Sequence, residues 1–210
     1  AAKAKLTLVM GLQERDGNTL YNTMLYISEE GEILGKHRKL ILTYTERLVW
    51  GRGDGSTLTV VDTPVGRLGG MVCWEHWMPL ARQAFHDQRE LLHAAVWPSV
   101  NEVHLLASRN YAFEGRCFVI AVGSILTREH LPTDLALLND LPGDGPWMTG
   151  GSAIIGPNAK ILAGPVMNEE TLVIAEIDPE LAAKESMTLD VSGHYSRPDV
   201  FKLVIDDGKK

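Results

Sequence analysis

Apolar and polar positions alternate from the start of the chain. "LTLVMGLQ" reads as a buried strand, "ERDGNT" as a turn with Asp-Gly at its centre, and "LYNTMLYIS" as the partner strand of a hairpin. "AAKAK" in front reads as the last turn of a helix, where cations suit the C-terminal end. "EEGE" turns the chain again. "STLTVVDTPVGRLGGMVCW" predicts two strands joined by the Pro/Gly turn "TPVGR". "MPLARQAFHDQREL" sets Leu80, Ala84, Phe85 and Leu91 at helical spacing, and "LLHAAVW" follows as a short buried strand. "NEVHLLASRNYAFEGRC" predicts a second amphipathic helix with Val103, Leu106, Tyr111 and Phe113 on one side, and "FVIAVGS" is the next strand. Strand, helix, strand, helix, strand is an α/β signature. Residues 125–150 are irregular and rich in Pro, Gly and Asp, as suits a covering segment. "GSAIIGPNAKILAG" and "TLVIAEID" read as strands, and "PELAAKES" as a short helix with Pro early. With no repeat or linker, residues 1–210 are expected to form one domain.

Composition narrows the function classes. A 45% hydrophobic, 22% charged chain can bury a sizeable core. No apolar run approaches ~18 residues, so no membrane span is predicted. The net charge of −7, without a Lys/Arg block, argues against a nucleic-acid partner. Two cysteines make no disulfide framework and suit a reduced, cytoplasmic location.

Candidate chemistry centres on Cys73, where the apolar run "LGGMV" gives way to a loop or helix start. Ligands and catalytic groups collect at such strand ends. Backbone N–H groups at the turn favour a thiolate and can hold an oxyanion. Gly69 and Gly70 leave room for close backbone approach. A buried filler cysteine fits the same position. Cys117, between a helix and "FVIAV", reads as core.

A second cluster precedes it. Lys36, His37, Arg38 and Lys39 are consecutive, and strand alternation puts Lys36 and Arg38 on one side with Lys39 on the other. A cation beside a thiol lowers its pKa. Glu46 is placed to hold a lysine ammonium or to act as a base, although a surface ion pair with Arg47 is the plainer reading. "GRGDGS" lacks the ending of a phosphate-binding loop and reads as a turn. No Gly-x-Ser-x-Gly elbow is present. His76, His86 and His93 lack metal-ligand spacing. His76 could neighbour the site, while His86 reads as helix surface and His93 as core.

These motifs occur in a familiar order. "KHRKL", then "ER", "WGRGDGS" and "GRLGGMVCWEHWMPLAR" resemble the nitrilase branch of the carbon–nitrogen hydrolase superfamily. The likeness runs from "GLQERDGNTLYNT" to "GHYSRPDVFKL", and Cys-Trp-Glu is similar to nitrilases rather than to the amidase branches. The resemblance implies a four-layer α-β-β-α sandwich whose subunits pair through helical faces. It implies Cys73 as nucleophile, Lys39 as the cation that stabilises the tetrahedral intermediate, and Glu46 as the carboxylate positioning that lysine. It assigns the Trp74 N–H to the developing anion, Trp50 and Trp74 to the pocket lining, and Trp97 with Pro98 to another wall. The implied reaction takes a small-molecule nitrile to its carboxylic acid and ammonia through a thioimidate and a thioester, without cofactor or metal.

The family's general base is a glutamate in a strand-helix unit that comes before these motifs, and the chain is expected to lack that unit. Glu14 lies in the hairpin and does not match it. Three expectations stand: an incomplete nitrilase, a truncated inactive member acting as a binding or assembly partner, and an amidase or esterase with a substitute base such as Glu46. A homodimer or small homo-oligomer is expected.

Overall fold

Asp16-Gly17-Asn18 closes the hairpin, with Gly17 at a φ of 60° that suits glycine. The flanking strands are β1 (Leu8–Asp16) and β2 (Thr19–Ile27), paired antiparallel from Leu8 opposite Ile27 to Asp16 opposite Thr19. β3 (Ile33–Arg38) pairs with β2 and completes a three-stranded antiparallel sheet. The computed structural model describes residues 1–140, 143 and 145–210.

The second sheet holds β4 (Val61–Thr63), β5 (Gly66–Val72), β6 (Leu92–Trp97), β7 (Phe118–Gly123), β8 (Ile125–Leu126), β9 (Met148–Ile155) and β10 (Ile161–Met167). Its order is β10-β9-β7-β6-β5-β4, with β8 also paired to β9. β5, β6 and β7 are parallel and in register, Val72 beside Val96 and Trp97 beside Gly123. Their C-terminal ends therefore line up along one edge, where α/β sheets build their sites. Helices α1 (Pro79–His86) and α2 (Glu102–Gly115) supply the crossovers. Asn101 caps α2 by accepting from the Val103 and His104 N–H groups.

Alternation along the parallel strands makes two cores. Met71, Ala95, Val119 and Ala121 face the helices and pack with Ala81, Phe85, Ala107 and Tyr111. Leu68, Ala94 and Phe118 face the small sheet and pack with its Met24 and Tyr26. A Cβ on Gly70 would come within 2.5 Å of the Met24 Cε, so the glycine lets the two sheets close. Two sheets and three helices among the described residues form a mixed α/β sandwich, as the sequence resemblance implies. Among the described residues no helix covers the outer face of the small sheet.

Several sequence expectations change. "AAKAK" is a single 3₁₀ turn, Ala2–Ala4, ended by Lys5 in the left-handed region. α1 stops at His86, and Leu80 points outward at 70% exposure, because Ala81, Ala84 and Phe85 form its buried stripe. α2 is turned round from its predicted orientation. It buries His104, Ala107, Ser108, Tyr111 and Ala112, an i, i+3, i+4, i+7, i+8 stripe, while Val103, Leu106 and Phe113 face outward. His86 is buried rather than on the surface. "TLVIAEID" forms no strand: it has no ladder partner among the described residues, and Leu172 and Ile174 are exposed. α3 (Pro179–Ser186) forms as expected, capped by Asp178. Within the irregular segment, residues 141, 142 and 144 lie outside the described residues.

Candidate active site

β5 delivers Cys73 at its C-terminal end, where the chain enters a 3₁₀ turn, Cys73–Trp77. Cys73 has a φ of 59°, a left-handed conformation that a non-glycine residue holds only when its surroundings enforce it. Two bonds do so. The Glu75 carboxylate accepts the Val72 N–H at 2.7 Å, and the Cys73 carbonyl accepts from His76 Nδ1 at 2.7 Å. Burial raises the thiol pKa, while Lys39 and the Trp74 N–H pull it down.

Lys39 follows directly on β3, so it belongs to the other sheet. Its side chain is almost fully buried, and its ammonium donates to Glu46 Oε2 at 2.6 Å. Glu46 lies in the 3₁₀ turn Tyr44–Leu48, and the same oxygen takes the Thr43 N–H at 2.6 Å. Its other oxygen accepts from Asn22 Nδ2 at 3.4 Å.

A cavity of about 310 Å³ opens in the seam between the sheets. Its lining brings together Cys73, Lys39, Glu46, Trp97 and Pro98, with Asn22 on the polar side and Leu12, Val72 and Val96 on the apolar side. Trp97 is held by its indole N–H, which donates to Ser108 Oγ at 3.1 Å, and by stacking on His76 and His104. Trp50 and Trp74 do not line the cavity. The 3₁₀ turn carries the Trp74 ring outward to 46% exposure against His104, so only its backbone faces the thiol. Trp50 donates its N–H to the Glu46 carbonyl, so it closes the turn that presents that carboxylate.

Two polar networks lie around this centre. On the outer face of the small sheet, Glu14 accepts from Arg38 at 2.6 and 2.8 Å, from Thr23 at 2.9 Å, and from Lys36. The shared partner puts Lys36 and Arg38 on one side of β3. Hydrogen bonds from Arg38 lower the Glu14 carboxyl to about 2; burial opposes them, and Lys36 and Thr23 reinforce them. A folded-state pKa below the ordinary glutamate value of 4.5 gives stability that is complete above that pH and is lost as pH falls toward 2. Glu14→Gln should therefore flatten the curve of urea midpoint against pH across this window. An unchanged acid slope would refute the cluster's role.

Behind the thiol runs a buried chain of histidines. His76 donates to the Cys73 carbonyl through Nδ1, so its Nε2 must accept from His93 Nε2–H at 3.1 Å. His93 Nδ1 then faces Glu90 at 2.9 Å, and Tyr111 donates to the other Glu90 oxygen. This polarity requires one proton between Glu90 and His93. Burial pushes Glu90 up to about 7 and His76 down to about 3, which suits a neutral carboxyl and neutral imidazoles. Sequence reasoning missed both this chain and the buried Glu75. The signal available was "CWEH", an acid and a histidine immediately after the candidate nucleophile.

Residues 1–184 match the family model described as carbon-nitrogen hydrolase. The chain belongs to the carbon–nitrogen hydrolase family. Within it, the chain stands in the nitrilase branch. It is similar to an aliphatic nitrilase of Sinorhizobium fredii, with 43% identity over all of this chain and 68% of that protein. It is similar also to nitrilase 1 of Arabidopsis thaliana (42%) and a bifunctional nitrilase/nitrile hydratase of Lupinus angustifolius (41%). In both cases the match covers 99% of this chain but only 61% of the relative. The fold matches a carbon-nitrogen hydrolase of Helicobacter pylori G27, with a TM-score of 0.77, 21% identity, and 94% of this chain and 70% of that one covered. It also matches Nit3 of Saccharomyces cerevisiae, with a TM-score of 0.73, 23% identity, and 94% and 69% covered. Among the described residues of this carbon–nitrogen hydrolase no helix is long and apolar enough to cross a membrane.

Proposed function

We propose that this carbon–nitrogen hydrolase serves the conversion of a nitrile to its carboxylic acid and ammonia. The observation that carries the proposal is the meeting of Cys73, Lys39 and Glu46 in one cavity. The Cys73 thiol gives up its proton, and its sulfur adds to the nitrile carbon. The nitrogen takes a proton, leaving a thioimidate. Water adds, the C–N bond breaks, ammonia leaves and a thioester remains. A second water cleaves the C–S bond, releases the acid and restores the thiol. Covalent catalysis divides one difficult hydration into easier steps. Lys39 and the Trp74 N–H face the charge that develops on the reacting group, an electrostatic contribution of several kcal/mol as an order of magnitude.

Glu46 is poorly placed to be the base. It is the one carboxylate lining the cavity among the described residues, and both its oxygens are already hydrogen-bonded. That commitment disfavours an amidase or esterase with Glu46 as substitute base. It suits Glu46 as the group that holds Lys39. In this proposal the base is supplied from outside the described cavity wall. Leu12, Val96, Trp97 and Pro98 favour a hydrocarbon substituent, so aromatic and medium aliphatic nitriles are the candidate substrates. The outward Val103, Leu106 and Phe113 of α2 support self-association as a dimer or small oligomer, and two free thiols suit a cytoplasmic setting.

The test incubates the protein with aliphatic and aromatic nitriles. It follows ammonia, acid and the mass of the Cys73 peptide. Release of both products with a transient acyl adduct on Cys73 is expected. An adduct without release would favour the inactive binding member, and neither adduct nor release with any nitrile would sink the proposal.

A further inference from the structure

The structure assigns Glu75 a positioning role: one buried carboxylate holds the nucleophile's turn and the lysine's strand end at a fixed separation across the seam between the sheets. The assignment rests on the roles proposed for Cys73 and Lys39.

Glu75 sits two residues after Cys73 and is fully buried. Its Oε2 accepts the N–H of Val72, the residue just before the nucleophile, at 2.7 Å. Its Oε1 accepts the N–H of Leu40, the residue just after the lysine, at 2.7 Å. The first partner belongs to the large sheet and the second to the chain leaving the small sheet. A third bond also crosses the seam: His37 of β3 donates from Nε2 to the carboxylate at 3.0 Å. The other His37 nitrogen donates to the Thr57 carbonyl at 3.0 Å, so the ring has two acceptors and carries charge in this setting. Burial works against that charge, and the Glu75 carboxylate outweighs it. The pair is thus a compensated buried ion pair, whose loss on one side would leave an uncompensated charge.

The geometry asks for a carboxylate specifically. Each oxygen accepts from a different backbone N–H, and the two N–H groups belong to the two halves of the site. Glutamine offers one oxygen and one NH₂, so it can keep either Val72 or Leu40 and must face the other with a donor. Aspartate keeps both oxygens and the charge but is one methylene too short to reach both amides from the same backbone position. Both substitutions should loosen Lys39 relative to Cys73 without removing any side chain that lines the cavity. A displacement on the order of 1 Å at a reacting centre costs about 10²-fold.

The experiment is a double-mutant cycle read on the thiol of the whole protein. Iodoacetamide alkylation of the Cys73 peptide is followed against pH by mass spectrometry in wild type, K39M, E75Q, E75D and the two double variants. Removing Lys39 should raise the alkylation midpoint in the wild-type background. In either Glu75 background the same removal should change the midpoint by less than half as much, because the ammonium is no longer held against the thiol. Such non-additivity is the signature of a shared interaction. E75D keeps the charge opposite His37 and is the variant to use if E75Q does not fold. With a nitrile, kcat should fall about 10²-fold with KM nearly unchanged. An undiminished Lys39 effect in a folded Glu75 variant overturns the assignment, since a purely structural role would leave the two sites additive. Wild-type alkylation with no ammonia from any nitrile would remove the nitrile-hydrolysis reading and leave the coupling measurement intact.

Discussion

Cys73→Ser is expected to keep the melting temperature and to lose nitrile turnover by roughly 10⁴-fold or more. Serine is close in size to cysteine and meets the same left-handed backbone at φ 59°. The bonds that enforce that backbone, from Val72 N–H to Glu75 and from His76 to the carbonyl of residue 73, do not involve the side chain. The fold should therefore be indifferent. The chemistry should not be, because a hydroxyl ionises far less readily than a thiol, and Lys39 with one N–H cannot make up the difference. Ammonia release and thermal unfolding measured on the same preparation decide it. Turnover retained in the serine variant would rule out a thiol nucleophile.

Lys39→Met carries the second large effect. Methionine fills the buried volume without the charge, so packing is largely preserved while the partner oxygen of Glu46 loses its cation. Two consequences should appear together. Turnover should fall by about 10²–10³-fold, as when an oxyanion-stabilising group is removed. The Cys73 alkylation midpoint should rise, because burial then acts on the thiol with less opposition. An alkylation curve that overlays wild type would show that the ammonium does not act on the sulfur.

Much of the architecture could be read from alternation. The hairpin, the apolar runs of β5, β6 and β7, and the Cys73 strand end all follow from local pattern, because each strand's two faces meet fixed environments. α2 could not be read this way. Its buried stripe is His104, Ala107, Ser108, Tyr111 and Ala112, chosen to fit the Trp97 indole and the histidine chain, while its large aliphatics point outward. Counting apolar residues therefore selects the wrong face. "TLVIAEID" has a strand's composition, but a strand also needs a neighbour, and composition says nothing about neighbours. In the site, Cys73, Lys39 and Glu46 were legible as residue types in a familiar order. Glu75, His76, His93 and Glu90 were not, because a buried polar residue looks like a surface one until its partners are known. Trp50 and Trp74 matched by position in the chain, yet ring direction depends on turns that the pattern does not specify.

Cys73 ends a strand of one sheet, and Lys39 follows a strand of the other. The site is therefore a joint, and neither sheet contains it. A refolding chain with both sheets formed but undocked would hold its nucleophile without its cation. The point during refolding at which Cys73 alkylation first differs between wild type and K39M is thus a clock for the moment at which the two sheets come together.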